Sequence, residues 1–278
     1  MIELFASDLD GTLLTDHVVD DTVIDAIRAV RQAGRQFSVV TGRSMYPHQR
    51  REMGFEPLGI YTICMNGALI FAPDGTELYR RPFDTAFLRE MLARFPDLMA
   101  EYLSPVCAYV RRSERAYTDW VQRADGVRAQ RWLPSFLRAA AFSVSDDALL
   151  GGEIVKINAR TEDPAARAAL EAFLAENRRY VRNTPFQEDL PDHFELTAAG
   201  VDKAEAVAWL LGHLGLREDA VAVYGDGPND SEMLRRFPHS FAPANASPRA
   251  KAAAHAHIGD CADHAVPLHM RALLAEDG

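Results

Sequence analysis

Polar residues of a few types, aspartate, threonine, asparagine and arginine, recur beside glycine at four short, widely separated stations of this chain. The stations are Asp8-x-Asp10-Gly-Thr12, Thr41-Gly-Arg43, Asn66-Gly67 and Gly225-Asp226-x-x-Asn229-Asp230. If they converge, Asp8, Asp10, Asp226 and Asp230 bring up to four carboxylates together, which like-charge repulsion opposes unless protons or a cation compensate. A hard divalent cation with oxygen ligands is the simplest compensation, and Mg²⁺ usually combines one or two carboxylates with substrate phosphate and water. Lys203 adds the opposite sign. It falls in the first turn of a predicted helix, where the positive end of the helix dipole disfavours a cation, so its use there is to help the helix amides hold an anion. Carboxylates with a metal on one side, and a lysine with amide donors on the other, make a phosphoryl-transfer site. In such a site positioning and charge neutralisation provide most of the catalysis.

These residues need a frame that brings distant stations to one edge, and the sequence around them supplies it. Residues 2–7 form an apolar run that ends at Asp8, 36–40 end at Thr41, 60–65 at Asn66 and 220–224 at Gly225. Each reads as a buried strand feeding a loop, and ligands of open parallel sheets gather at the carboxyl ends of the strands. Between them, Asp21 is expected to cap a helix carrying Val23, Ile24, Ile27 and Val30 and stopped by Gly34. Asp202 is expected to cap a second helix carrying Val207, Leu210, Leu211 and Leu214. Residues 69–71 and 77–80 flank Pro73-Asp-Gly75 as a hairpin. From 82 the pattern becomes mixed, with helical stretches at 86–95 and 164–177 and extended ones at 106–111, 140–144 and 154–158. Alternation resumes with strands at 220–224 and 240–243 and a helix at 248–254. The expected fold class is therefore α/β: a Rossmann-like parallel-sheet core with helices on both faces, formed by 1–81 plus 188–278, and interrupted by an α/β insertion at 82–187.

Composition narrows the partners. The chain has 278 residues, 48% of them hydrophobic and 25% charged, which is ordinary for a folded protein and excludes disorder. Thirty Lys and Arg against forty Asp and Glu give a net charge of −10, the wrong sign for gripping nucleic acid. The three cysteines show no C-x-x-C pairing, so reduced thiols are expected instead of disulfides or a zinc ribbon. The first residues lack a basic leader, and no apolar run reaches the ~18 residues needed to cross a bilayer. A cytoplasmic location follows as the expectation, with no membrane partner. His255 and His257, although alternating in an Ala-rich stretch, are assigned to the surface. The aromatics Tyr102, Tyr109, Tyr117, Trp120 and Trp132 are assigned to the core of the insertion.

Taken in order, Asp8-Leu-Asp10-Gly-Thr12, Val40-Thr41-Gly-Arg43, Asn66-Gly67-Ala68, Lys203 and Gly225-Asp226-Gly-Pro-Asn229-Asp230-x-x-Met233-Leu234 resemble the motifs of the haloacid dehalogenase superfamily, in particular its Cof-type branch of sugar-phosphate and related phosphatases. The insertion matches that branch's α/β cap in position and size. The resemblance implies that Asp8 is a nucleophile that becomes phosphorylated and that Asp10 serves as acid and then base. It implies that the Asp8 and Asp226 carboxylates and the Asp10 main-chain carbonyl hold Mg²⁺, with Asp230 in or just behind that shell. Phosphoryl oxygens would be held by the Leu9 and Gly42 amides, the Thr41 hydroxyl, Lys203 and Asn229, while Arg43 and Asn66 are assigned toward substrate. The implied partner is a small phosphorylated metabolite, a sugar phosphate or a phosphorylated cofactor, acted on by a monomer or weak homodimer. A phosphotransferase or mutase using the same intermediate, and a sensor that binds without turnover, are the alternatives. Ser240-Phe-Ala-Pro243-Ala244-Asn245-Ala246 departs from the branch's G-x-A-M-G-N-A and is placed outside the catalytic set.

Overall fold

The first apolar run becomes β1 (Leu4–Ser7), buried along its whole length, in a computed structural model that describes residues 1–15, 18–184 and 192–276. α1 (Asp21–Gln32) follows, and its cap is Asp20, one residue before the expected Asp21: the Asp20 carboxylate accepts from the Val23 amide. Asp21 is left in the first turn, where the dipole favours an acid. β2 (Gln36–Val40), α2 (Pro47–Glu52) and β3 (Tyr61–Cys64) come next, then the hairpin of β4 (Leu69–Phe71) and β5 (Glu77–Arg80).

A second compact unit, Arg81–Gly200, interrupts the first, which consists of Met1–Arg80 and Val201–Gly278. Its elements are α3 (Thr85–Arg94), β6 (Met99–Leu103), β7 (Ala108–Val110), α4 (Glu114–Asp125), α5 (Ala129–Leu137), β8 (Ala140–Phe142), α6 (Asp146–Gly151), β9 (Lys156–Arg160), α7 (Pro164–Glu176), β10 (Val181–Asn183) and β11 (His193–Ala198). They build a six-stranded sheet in the order β10-β11-β9-β6-β7-β8. Tyr117 and Val121 of α4 pack with Val110, Ala129 and Leu133, and Trp120 and Trp132 lie partly buried against them. Tyr102 is buried and Tyr109 half-buried. The boundary expected at 187/188 lies outside the described residues.

The chain then returns with α8 (Lys203–Leu214), β12 (Val221–Tyr224), α9 (Ser231–Arg236), β13 (His239–Ala242), α10 (Pro248–Ala253), β14 (Ala256–His257) and α11 (Ala265–Glu276). The first unit's sheet runs β14-β13-β12-β1-β2-β3-β4-β5, parallel from β14 to β3 and antiparallel at the hairpin. Leu4, Ala6, Val40, Ile63, Val221 and Val223 join side chains of α8, α9 and α10 in one core. The alternation of a strand sends Phe5, Val39 and Ala222, all fully buried, to the opposite face. On that face the Tyr224 hydroxyl meets Nδ1 of His269 on α11 at 3.0 Å. Register decides where the loops emerge: Ser7 lies beside both Val39 and Tyr224, and Val40 beside Ile63. The loops after β1, β2, β3 and β12 therefore leave the sheet along one edge. Among the described residues no helix is long and apolar enough to cross a membrane.

Candidate active site

Asp8 is the first residue past β1, 7% exposed, with its amide bonded to the Tyr224 carbonyl of the neighbouring strand at 3.0 Å. Lys203 opens α8, whose cap Asp202 accepts the Glu205 amide at 2.8 Å. The lysine is 1% exposed, and its Nζ donates to Asp8 Oδ1 at 2.6 Å and to Asp230 Oδ1 at 2.7 Å. The other Asp230 oxygen accepts the amides of Asp226 and Gly227 at 3.0 and 2.8 Å, so this one carboxylate shapes the loop after β12. Gly225 is required for that fit, because a Cβ there would run into the Asp230 side chain. Pro228 begins a short 3₁₀ turn, Pro228–Asp230, a first-turn position where its missing N–H costs nothing.

One carboxylate oxygen from each of Asp8, Asp226 and Asp230 lies within 4.8 Å of the others. Burial holds Asp8 well above the ordinary carboxylate range; Lys203 lowers it, and Asp230, Asp226 and Asp10 raise it further. Asp226 is pushed up to about 6, first by burial and then by Asp230, although the Thr12 hydroxyl donates to it at 2.6 Å. Burial works against the charge of Lys203, but Asp230 and Asp8 outweigh it and hold its ammonium above the ordinary lysine value. One fixed positive charge thus faces three acids, two of which resist ionisation. A hard divalent cation fits this donor set, since it supplies the missing charge and oxygen is its preferred ligand.

Asp10 points elsewhere. Arg43 Nε donates to its Oδ2 at 2.7 Å and Nη2 to its other oxygen, a two-bond grip. Arg43 is set in turn by its own amide, which donates to Thr41 Oγ1 at 3.1 Å. Thr41 itself is buried, its amide on the Ile63 carbonyl at 2.9 Å. The Leu9 carbonyl takes the Leu13 and Leu14 amides at 3.0 and 2.8 Å, which closes the loop after Asp8. Asn229 is buried and donates from Nδ2 to Asn66 Oδ1 at 3.3 Å. The structure thus gathers the stations of Asp8, Thr41, Asn66, Lys203 and Asp226–Asp230, with Arg43 committed to Asp10 and Asn66 to Asn229.

Asn245, set aside in the sequence, belongs to the site's support. Its Nδ2 donates to the Gly11 carbonyl at 2.7 Å and its Oδ1 accepts the Cys261 amide at 3.0 Å. One carboxamide therefore ties the loop that carries Asp10 to the main chain at Cys261. The available signal was its place in a stretch comparable to G-x-A-M-G-N-A.

Comparison with known proteins places this geometry. The sequence pattern of the haloacid dehalogenase-like hydrolases matches residues 5–269. A curated relative, the HMP-PP phosphatase of Klebsiella pneumoniae (strain 342), is 27% identical over 280 residues, covering 96% of this chain and 93% of the relative. Among solved structures, a haloacid dehalogenase-like hydrolase from B. subtilis superposes with a TM-score of 0.81 at 24% identity, covering 97% of this chain and 99% of that one. A haloacid dehalogenase subclass IIB sugar phosphatase gives 0.77 at 19% identity, with 98% of each chain covered. At these identities the structural matches speak for the fold.

Proposed function

The chain belongs to the haloacid dehalogenase-like hydrolase family, and within it we propose a phosphatase that hydrolyses a small phosphomonoester through a phosphorylated Asp8. The observation that carries this reading is Asp8 itself: a buried carboxylate at the end of β1, bonded to Lys203 and grouped with Asp226 and Asp230. An Asp8 oxygen attacks phosphorus and the bond to the leaving oxygen breaks. Asp10 gives that oxygen a proton, then takes one from the water that attacks the phosphorus of phospho-Asp8. Inorganic phosphate departs and the Asp8 carboxylate is restored. Arg43 orients the Asp10 carboxylate through its two bonds; one of them opens when that oxygen carries the proton Asp10 gives, and both suit the ionised form that serves as base. Lys203, the Thr41 hydroxyl, Asn229 and the Leu9 and Gly42 amides hold the phosphoryl oxygens, so that charge developing in flight meets donors already in place.

Mg²⁺ suits the carboxylates of Asp8 and Asp226 and the Asp10 main-chain carbonyl, with Asp230 behind them. When bound it supplies positive charge against the phosphoryl oxygens. The relative's name, HMP-PP phosphatase, supports a small phosphorylated metabolite as substrate.

A panel of phosphorylated sugars, nucleotides and cofactors, with p-nitrophenyl phosphate as a generic reporter, tests the reading in the presence of Mg²⁺. Phosphate release by the wild type and none by Asp8→Asn is the expected result. Release at the wild-type rate by Asp8→Asn, or none by the wild type across the panel, contradicts it.

A further inference from the structure

Met65, Asn66 and Gly67 follow β3 with three successive positive φ values, 52, 57 and 100°, and all three are buried. Asparagine and glycine tolerate this left-handed region; methionine does so at a cost. A buried run of such residues survives only where its surroundings over-determine it, and here they do. The Met65 amide donates to the Arg43 carbonyl at 2.9 Å and the Asn66 amide to the Thr41 carbonyl at 3.0 Å. A Cβ on Gly67 would strike the Asp202 carbonyl and the Ala206 Cβ, so the turn lies directly against the start of α8, where Lys203 is anchored. The Asn66 side chain, 1% exposed, accepts from Asn229. One turn therefore touches the loops that carry Thr41, Lys203 and Asn229.

We propose that Asn66 is a positioning residue for anion binding, acting through Asn229 and not on the substrate. Resting on the phosphatase reading, the argument is one of amide orientation. A carboxamide can present either its donor or its acceptor end, and only the donor end attracts a phosphoryl oxygen. With one N–H of Nδ2 committed to Asn66, the amide of Asn229 is locked with its second N–H on the same nitrogen available. Without Asn66 it is free to turn its oxygen outward, which an anion avoids. The left-handed turn places the Asn66 acceptor there while its backbone holds the neighbouring loop in register.

The test is a double-mutant cycle in the full-length protein. Asn66→Gly removes the carboxamide and keeps the left-handed backbone; Asn229→Ala removes its partner; thermal unfolding is recorded for each. For inorganic phosphate measured by calorimetry with Mg²⁺ present, Asn66→Gly is expected to raise Kd about 2- to 12-fold, the worth of one ordinary hydrogen bond. The double variant should lose no more than Asn229→Ala alone. An unchanged Kd in Asn66→Gly, or losses that multiply in the double variant, overturns the proposal. A second readout needs no phosphate: NMR of the ¹⁵N-asparagine-labelled chain, in which the Asn229 side-chain pair is identified by its loss in Asn229→Ala. That pair should shift in Asn66→Gly, and an unmoved pair overturns the proposal. A wild type that neither binds phosphate nor turns over the panel would defeat the phosphatase reading and this inference with it, whereas a wild type that does both beside an unmoved Kd in Asn66→Gly defeats this inference alone.

Discussion

Lys203 stands between two carboxylates in a space where neither it nor Asp230 is more than 1% exposed. Removing one partner from a buried ion pair leaves the other charge uncompensated, at a cost of about 3–5 kcal/mol. Lys203→Met is accordingly expected to lose about that much stability in urea unfolding at pH 7.5 and less at pH 5, where the acids take up protons instead; equal losses at both values would contradict the charge account. Asp226 gives a sharper pH signature. Its folded-state pKa of about 6 lies above the ordinary value of 3.8, so the folded chain holds its proton more tightly. That contribution is fully present below the ordinary value and is lost as pH rises through about 6. In EDTA, Asp226→Asn should melt several degrees above the wild type at pH 7.5 and show no such advantage below pH ~4; a wild type that is the more stable at pH 7.5 would contradict this. The identities of these residues were legible in the sequence because the acidic loops follow apolar runs, Lys203 stands in the first turn of a predicted helix, and all belong to an ordered set. Their partners were not. Arg43 to Asp10, Asn66 to Asn229 and Asn245 to Gly11 span 33, 163 and 234 positions, and only the parallel register makes such residues neighbours.

The loop after β12 shows how an element is specified by what one glycine permits. Gly225→Ala would push a methyl group into the Asp230 side chain, and overpacking of this kind costs about 1–3 kcal/mol. We expect that loss in urea unfolding, together with weakened divalent-cation binding, because Asp230 also fixes the Asp226 and Gly227 amides. Gly212, inside α8 and with nothing within 4 Å of its would-be Cβ, is the control: Gly212→Ala should stabilise by about 0.4–1 kcal/mol. If both substitutions destabilise equally, the crowding argument at Gly225 fails. β2, the β4–β5 hairpin and α8 emerge from periodicity and turn chemistry with at most small shifts at their ends. α11 does not, because Pro267 argues against a helix, yet it is the third helical residue, where no intrahelical donor is needed. α4 was missed because only Tyr117 and Val121 of its twelve residues are buried. β6 and β11 were missed because their facing positions include Glu101, Asn158 and Glu195, polar side chains paired across β9.

Across the whole chain the net charge of −10 acquires a local meaning, since part of the acid excess is concentrated where three carboxylates face one lysine. A ligand that binds only the folded state stabilises it by about 2.7 kcal/mol at a hundredfold excess over its Kd. For a chain of this size that amounts to roughly 5–10 °C in Tm. Mg²⁺ should therefore raise Tm by about that much at pH 7.5, reversibly with EDTA, and by much less in Asp226→Asn; no shift in the wild type would remove the metal from the account. The covalent step is tested most directly by quenching the enzyme in acid during turnover of an active phosphomonoester and locating the phosphoryl group by peptide mass spectrometry, in the wild type and in Asp10→Asn. The account predicts a phosphoryl group on Asp8, absent from Asp8→Asn and accumulating in Asp10→Asn with p-nitrophenyl phosphate, whose leaving group needs no acid in the first step while the second step lacks its base. Turnover with Asp8 unmodified in both, or a phosphoryl group carried by another residue, would contradict it.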